Sequence, residues 1–333
     1  MLKKILILSD GIPGHFNQSK GISLLFAQTH EIEEKIHEIT YRIHLLRGLF
    51  TLIGRVILKV PHVISAKIIL LFYEPLDIKG YDLIIASGGK TAPLSAALRL
   101  IYGVPAIQLG SPRGIHSSVF SALITVERYF DDPSNITTSL TPNLYSPEAC
   151  LFAAQQHRLS EHLLFLIGGE GIGYSYNLTE WEALISRMKS LYQQNKIPIT
   201  IVTSRRSNPE IEKKFRRELS NIPLSYSAWF HKGDKDFNLN ALFGSAKNIF
   251  VTEDSSMMIS EAISSAKPVT TLYPSKINAP LRYKAHIQKY LELGFIKRQS
   301  INNFSLNKVR NSPIDIQNYF ISLKKELLER VQW

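Results

Sequence analysis

Residues 3–22, KKILILSDGIPGHFNQSKGI, and residues 161–177, EHLLFLIGGEGIGYSYN, share one layout, in which an apolar strand runs into a glycine-rich turn. A strand that opens through glycine into a helix presents free backbone N–H groups and the positive end of the helix dipole to a ligand. Such an opening favours phosphate or another anion. Two of them in one chain predict two α/β domains that face each other across a cleft.

Length and composition agree with two domains, because 333 residues with 44% apolar content are enough for two cores. The single cysteine, Cys150, has no partner for an intrachain disulfide. Met1 and Leu2 are followed by Lys3, Lys4 and a strand rather than by the apolar core of a signal peptide. We therefore expect a protein of the reducing cytoplasm.

The remainder of the chain alternates short apolar strands with helices, and Gly, Pro, Ser and Asp lie between them, as is typical of parallel doubly wound sheets. The clearest strands of the first half are 81–89, 104–112 and 121–126, with a helix over 91–103; the clearest elements of the second half are strands 162–169 and 197–204 and helices 177–195 and 209–220. Residues 131–147 indicate a linker or a cleft loop. The predicted domains are 1–155 and 156–312, and a terminal helix over about 313–333 is expected to pack back on the first.

The net charge of +11 is concentrated early, and residues 39–73 contain no Asp or Glu. Basic, aromatic-bearing amphipathic helices lie in the headgroup layer of anionic membranes, so residues 41–73 predict a membrane-surface segment. The uncharged runs are too short to span a bilayer. An alternative is a pair of core-facing helices with a solvated basic face, broken at Pro61. Nucleic acid is not expected as a partner, because the basic residues alternate with an apolar stripe and no recognition motif is present.

Three segments of the second half suit a nucleotide diphosphate. Glycines at 168–171 allow close backbone approach, residues 203–206 offer hydroxyls and guanidinium forks, and a Ser at 255 or 256 would cap a helix whose Glu261 can accept both ribose hydroxyls. Turn chemistry, a solvated arginine face and helix stabilisation are the alternative explanations. The predicted donor-binding residues are Gly168, Gly169, Glu170, Gly171, Thr203, Ser204, Arg205, Arg206, Glu253, Asp254, Ser255, Ser256, Met257 and Glu261.

In the first half, the candidates for proton transfer are His15 and Asp10. Histidine titrates near neutral pH, so a histidine on a loop beside the first glycine turn can take a proton from an acceptor hydroxyl. Asp10 would orient His15 or act as the base itself. A structural, hydrogen-bonded histidine is the alternative. The chain has no P-loop consensus, no His/Cys spacing typical of metal sites and no GxSxG.

Taken together and in order, five segments resemble the bacterial branch of the mitochondrial-fission ELM-like family, a family similar to glycosyltransferases of GT-B architecture. They are SDGIPGHFNQSKGI (9–22), YDLIIASGGKTAPLSAALR (81–99), IGGEG (167–171), VTSRRSNPE (202–210) and VTEDSSMMISEAISSAKPV (251–269). The resemblance implies two Rossmann-like domains with the nucleotide-sugar in the C-terminal one. A weaker similarity, to the bacterial enzyme that adds N-acetylglucosamine to a lipid-linked muramyl peptide, implies an acceptor side in the first domain. The acceptor-side residues are Gly11, Gly14, Asn17, Gln18, Gly88, Gly89, Lys90 and Thr91.

These resemblances imply a glycosyltransferase that moves a sugar from a nucleotide-sugar to a lipid-linked or lipopolysaccharide-type acceptor at the inner face of the cytoplasmic membrane. Such enzymes typically need no metal and no permanently bound cofactor, because helix N-termini and basic residues stabilise the departing diphosphate. A nucleotide-sugar epimerase or hydrolase on the same fold is an alternative, with Asp131 and Asp132 as its additional carboxylates. A non-catalytic scaffold that docks a membrane-remodelling partner is another.

Overall fold

The computed structural model describes residues 2–234, 236–306 and 316–333, and the chain divides into two compact units. The first unit comprises Met1–Leu144 and Gln317–Trp333, and the second comprises Tyr145–Ile316. The division falls earlier in the sequence than residue 155, so the helix that begins at Pro147 belongs to the second unit.

The described part of the first unit contains a six-stranded parallel sheet with the order β2-β1-β3-β4-β5-β6. Strand order reverses between β1 and β3, which is where ligands bind in open α/β sheets. The elements up to residue 137 are β1 (Leu2–Ser9), α1 (Pro13–Ala27), β2 (Glu31–Glu38), α2 (Arg47–Ile57), α3 (Val63–Leu70), β3 (Leu83–Ser87), α4 (Ala92–Tyr102), β4 (Ala106–Leu109), β5 (Ala122–Thr125) and β6 (Asn135–Thr137).

The described part of the second unit has the same plan, with the parallel order β10-β9-β7-β11-β12-β14 and a reversal between β7 and β11. An antiparallel two-stranded ribbon of β8 and β13 is separate from this sheet. The elements are α5 (Pro147–His157), β7 (His162–Ile167), β8 (Tyr174–Ser175), α6 (Leu178–Asn195), β9 (Ile199–Thr203), α7 (Pro209–Glu218), β10 (Leu224–Ala228), α8 (Leu239–Ser245), β11 (Ala246–Thr252), α9 (Ser256–Ser264), β12 (Val269–Tyr273), β13 (Lys276–Ile277), α10 (Leu281–Glu292) and β14 (Lys297–Ser300).

The last helix described, α11 (Ile316–Val331), packs on the first unit, and residues 313–315 of the predicted terminal helix lie outside the described residues. Its Leu327 is buried in the same apolar cluster as Phe26 of α1, and the rings of Phe26 and Trp333 lie 5.0 Å apart. The α11 helix therefore covers one face of the first sheet, while α4 and the α2–α3 segment cover the other.

Two strands were not predicted from the sequence. The sequence of β2, EIEEKIHE, is mostly charged, yet it pairs with β1 along its whole length, from Leu2 opposite Glu31 to Ser9 opposite Glu38. The prediction of a linker or a cleft loop over 131–147 is wrong at β6, where the Asn135 side chain donates to the carbonyl of Leu123. Both are edge strands, so they can form without the continuous apolar run that a strand buried on both faces requires.

Candidate functional site

A histidine–aspartate pair lies at the strand-order reversal of the first unit. Asp10 follows β1, His15 lies in the first turn of α1, and the Nδ1 atom of His15 is 3.0 Å from Asp10 Oδ2. The side chain of Asp10 is 1% exposed, whereas that of His15 is 33% exposed. An ionised carboxylate only accepts hydrogen bonds, so Nδ1 carries the proton and Nε2 is left as the basic nitrogen. This is the tautomer that a general base needs.

Gly88, which follows β3, explains how the His15 ring comes so close to the neighbouring strand. A Cβ atom on Gly88 would lie 2.4 Å from both Nδ1 and Cε1 of His15, and φ of Gly88 is +86°. The ring therefore packs directly on backbone, and only glycine fits both the contact and the left-handed conformation. Nearby, Ser87 donates through Oγ to Oε1 of Gln18 at 2.6 Å. The structure thus joins the ends of β1 and β3 at His15.

The other acceptor-side residues surround the same two strand ends. Thr91 is buried and donates through Oγ1 to the carbonyl oxygens of Ser87 and Gly88, which fixes the turn after β3. Lys90 is exposed and its charge acts on Asp10. The remaining predicted residues are Gly11, in a left-handed turn with φ +75°, Gly14 and Asn17 in α1, and Gly89 directly after Gly88.

The pKa of Asp10 lies below its ordinary value. Burial opposes ionisation, but the hydrogen bond and electrostatic attraction of His15, together with the backbone N–H of Ile12, favour the carboxylate more strongly. A carboxyl group with a lowered folded-state pKa contributes stability above its unfolded pKa of about 3.9. That contribution is lost as the pH falls through the lower folded-state value.

We therefore expect Asp10→Asn to lower the free energy of unfolding by about 1 kcal/mol at pH 7, because the hydrogen bond loses its charge assistance. The difference from the wild type should shrink as the pH falls below about 4. Urea unfolding at pH 7 and pH 3 measures both. Asp131→Asn is the control, since that side chain is fully exposed and paired only with Arg128. If the two proteins differ in free energy of unfolding as much at pH 3 as at pH 7, the lowered pKa of Asp10 is contradicted.

In the second unit, the glycine-rich turn after β7 is packed against its neighbours. A Cβ atom would lie 2.2 Å from the Asp254 carboxylate at Gly168 and 2.0 Å from the Arg206 carbonyl oxygen at Gly169. Gly171 is similarly close to the Asp254 carbonyl, whereas Glu170 is exposed. The chain then enters β8 rather than a helix. The glycines therefore allow the chain segments that follow β7, β9 and β11 to pack closely together. The sequence shows a glycine-rich turn but does not reveal these contacts.

The two adjacent arginines that follow β9 have different surroundings. Arg206 donates from Nη1 to the carbonyl oxygen of Asp254 and forms an ion pair with its Oδ2 at 3.3 Å. Arg205 is exposed and makes no hydrogen bond or ion pair within the described ranges. Thr203 is committed to Glu212 through Oγ1, and Ser204 accepts through Oγ from the Arg206 N–H. Of this group, Arg205 has the side chain best placed to receive an anion.

The residue that follows β11, Glu253, has a buried carboxylate whose hydrogen-bond partners are other side chains of the protein. Glu253 is 0% exposed, and Arg298 of β14 pairs with it through two N–H groups, Nε to Oε1 at 2.9 Å and Nη2 to Oε2 at 3.0 Å. Thr271 also donates to Oε1 at 2.7 Å, and the guanidinium of Arg298 lies 4.1 Å from the ring centre of Tyr273. Glu253 therefore joins β11, β12 and β14.

Beyond Glu253 the chain turns into α9 with the cap predicted from the sequence. Ser255 is the N-cap and accepts through Oγ from the Met258 N–H, so Ser256 and Met257 form the first turn. Burial raises the pKa of Asp254, although Thr252 and Arg206 oppose the shift. Glu261 lies buried in the second turn, close enough to Tyr145 for its charge to raise the pKa of that hydroxyl further than burial alone does.

Two arginines of the first unit were not among the predicted site residues. Arg55 of α2 donates to the Gly89 carbonyl oxygen at 2.9 Å, and Arg113 follows β4 and lies against the same glycine. Position after a strand end was a usable signal for Arg113. No sequence pattern distinguishes Arg55 from the other basic residues of 41–73. In contrast, Asp132 is engaged with Ser134, so neither it nor Asp131 adds a carboxylate beside His15.

An apolar surface follows the basic segment of the first unit. We call the exposed apolar residues of α2, α3 and their flanks the α2–α3 surface: Leu45, Leu49, Leu52, Val56, Val60, Val63, Ile64, Ile68 and Leu71. Leu45 is 91% exposed and Val60 73%, although Thr51 and Gly54 are buried. Each helix packs one side inward, and its outer side exposes apolar as well as basic residues. Among the described residues, no helix has the length and apolar content to cross a bilayer.

The two doubly wound units, each with polar and glycine-rich turns at the carboxyl ends of its strands, define a protein of the GT-B fold class. The fold of one solved protein agrees with this class. The chain matches the UDP-GlcNAc 2-epimerase from Methanocaldococcus jannaschii with a TM-score of 0.52 at 12% identity, over 100% of this chain and 92% of the other. ADP-heptose lps heptosyltransferase II from E. coli matches with a TM-score of 0.45 at 13% identity, over 99% and 98%.

The chain belongs to the mitochondrial fission ELM1 family, whose model matches residues 13–313. It is also 32% identical, over 142 residues, to an uncharacterized protein of Rickettsia prowazekii (strain Madrid E). That match covers 41% of this chain and 39% of the relative, so the chain spans less than half the length of the curated relative it matches. The resemblance inferred from the five sequence segments is confirmed.

Proposed function

We propose that this protein is a glycosyltransferase that moves a sugar from a nucleotide-sugar to a lipid-linked or cell-envelope acceptor at a membrane surface. The observation that carries the proposal is the pair of His15 and Asp10 at the strand-order reversal of the first unit. A buried carboxylate that fixes the tautomer of a partly exposed histidine is the arrangement of a general base.

The two residues have different roles in this proposal. The carboxylate of Asp10 is almost completely buried, so it cannot reach a substrate hydroxyl directly. His15 has the exposed side chain and the free basic nitrogen, so it takes the proton from the acceptor. Asp10 holds the ring and stabilises the imidazolium that forms.

The donor is assigned to the second unit. Arg205 supplies an unpaired cation at the end of β9, the N-terminus of α9 supplies backbone N–H groups at Ser256, and Glu261 supplies a carboxylate for the ribose. Guanidinium groups and helix N-termini stabilise the diphosphate as it leaves. No metal ion or permanently bound cofactor is part of the proposal.

Nucleotide binding tests the donor assignment. Thermal unfolding midpoints should be measured with a panel of UDP-, GDP-, CMP- and dTDP-sugars, because a ligand at 100 times its Kd stabilises the native state by about 2.7 kcal/mol. We expect one base to raise the midpoint selectively, and Arg205→Gln to reduce that shift. Arg216→Gln, which removes an equal charge from an exposed site on α7, is the matched control. No shift with any nucleotide would favour a non-catalytic scaffold.

The membrane part of the proposal depends on the α2–α3 surface. Its apolar side chains lie among basic residues in a stretch without Asp or Glu, which is the composition that binds anionic headgroups. We place the protein at the inner face of the cytoplasmic membrane on this basis.

We expect the double substitution Leu45→Asp and Leu49→Asp to abolish sedimentation with phosphatidylglycerol vesicles, because it adds two negative charges to the surface that would enter the headgroups. Wild-type binding should weaken as salt is raised and should be weak to phosphatidylcholine. Leu281→Asp, at an 83% exposed leucine of the second unit, is the control and should leave binding intact. Equal vesicle binding by the double variant would refute the assigned surface.

A further inference from the structure

Two guanidinium groups from separate elements converge on Gly89, the residue after the one that supports His15. Arg55 Nη2 donates to the Gly89 carbonyl oxygen at 2.9 Å. A Cβ atom on Gly89 would lie 2.8 Å from Arg55 Nη2, 2.9 Å from Arg113 Cγ and 3.5 Å from Arg113 Nε. The two cations therefore share one small region of the surface, where the absence of a side chain on Gly89 gives them room.

These cations are short of negative partners. Arg55 Nε is buried without a hydrogen-bond partner, and across the described ranges the side chains of Arg113 and Lys90 form no hydrogen bond or ion pair. Burial and the charge of Arg113 both lower the pKa of Arg55. Like charges gathered in this way are stabilised by an anion, and the planar guanidinium fork matches phosphate oxygens.

The loop that contains Arg113 has an unusual backbone conformation. The φ of Arg113 is +54°, a left-handed conformation that a residue with a long side chain rarely adopts. Gly110, two residues before the buried Pro112, also has a positive φ, so the loop after β4 turns sharply. Lys59 reaches the same loop, with Cε 3.7 Å from a Cβ atom on Gly114.

The cation cluster is next to both the candidate base and the apolar surface. Gly88 contacts the His15 ring and Gly89 contacts Arg55 and Arg113, and consecutive Cα atoms are about 3.8 Å apart. On α2, Arg55 lies three residues after Leu52, an exposed member of the α2–α3 surface, and residues three apart are neighbours on a helix face. An anionic group at the cluster would therefore be close to His15, and a hydrocarbon chain attached to it would have an apolar surface beside it.

We propose that Arg55, Arg113 and Lys90 bind the phosphate or diphosphate ester of a lipid acceptor whose hydrocarbon chain lies on the α2–α3 surface. The ligand's role as an acceptor rests on the proposed function, whereas its recognition depends only on the first unit. The cluster holds the phosphate, and His15 receives the proton of the hydroxyl that accepts the sugar.

Calorimetry on the full chain, with farnesyl diphosphate below its micelle concentration, tests this site. We expect the wild type to bind farnesyl diphosphate more tightly than inorganic pyrophosphate and not to bind farnesol measurably. Arg113→Gln should weaken farnesyl diphosphate binding about 10-fold or more, because it removes a charge-assisted contact. Its side chain is exposed, so the variant is expected to fold. Arg128→Gln, at another exposed arginine of the first unit, should bind as the wild type does.

Each other result has a definite meaning. Unchanged affinity in Arg113→Gln would overturn the site, and equal affinity for pyrophosphate and farnesyl diphosphate would overturn its lipid part. Nucleotide-sugar binding by Arg113→Gln separates this inference from the proposed function. If Arg113 governs farnesyl diphosphate binding but no nucleotide-sugar binds the wild type, the lipid-phosphate site stands and the transferase fails. If nucleotide-sugars bind but farnesyl diphosphate does not, the transferase stands and this acceptor is overturned.

Discussion

Replacing His15 by alanine is expected to lower the turnover of sugar transfer by about 10²–10⁴-fold, the usual contribution of a positioned general base. The affinity for the donor nucleotide should stay as in the wild type, because the donor is assigned to the second unit. The loss should therefore be in kcat rather than in donor KM. Initial rates over a range of donor concentrations measure both quantities.

Two variants make this result specific. His157→Ala removes an exposed histidine of the second unit and should transfer sugar at the wild-type rate. Asp10→Asn keeps His15 but weakens the hydrogen bond that orients the ring. The transfer rate of this variant should therefore lie between those of the wild type and His15→Ala. If His15→Ala keeps the wild-type turnover, the histidine is a structural residue and the proton acceptor lies elsewhere.

Replacing Arg298 by methionine is expected to lower the free energy of unfolding of the second unit by about 3 kcal/mol, because a buried carboxylate loses its charged partner. Glu253 has no exposure to water, and Arg298 supplies two of its hydrogen bonds. Urea unfolding followed by tryptophan fluorescence is suitable, since Trp181 and Trp229, two of the three tryptophans, lie in the second unit.

A double-mutant cycle separates the energy of the Glu253–Arg298 ion pair from the energy that Arg298 contributes by packing. The double variant Arg298→Met and Glu253→Gln should lose less free energy of unfolding than the sum of the two single variants. The reason is that the double variant has no unpaired carboxylate buried at position 253. Arg217→Met, which breaks an exposed pair with Glu218, should have little effect. Additive costs for Arg298 and Glu253 would show that the two side chains do not stabilise each other.

Most of the fold was predictable because the central strands are buried on both faces. The sequences LIIAS of β3 and HLLFLI of β7 are buried at every position, and such runs are typical of parallel sheets. The edge strands β2 and β6 have no such constraint, so their polar sequences did not predict strands. Tertiary pairing overrides local preference at those two positions.

The candidate site was predictable where its contacts are local. Asp10 and His15 are five residues apart, so one loop brings them together. Glu253 and Arg298 are 45 residues apart, and Arg55 is 34 residues from Gly89. A sequence does not distinguish a carboxylate that binds a ligand from one that pairs with a distant arginine. The structure assigns Glu253 to the second kind, and it places Arg55 and Arg113 against Gly89.

The most direct test of the central claim is transfer of label from a nucleotide-sugar to lipid. The full chain should be incubated with a radiolabelled donor, chosen by the binding panel, and with phosphatidylglycerol vesicles that contain a bacterial lipid extract. The account predicts that label enters the organic-phase lipid with the wild type, and about 10²–10⁴-fold more slowly with His15→Ala. If wild-type protein binds these vesicles but transfers no label from any donor of the panel, the protein is a scaffold and the account is wrong.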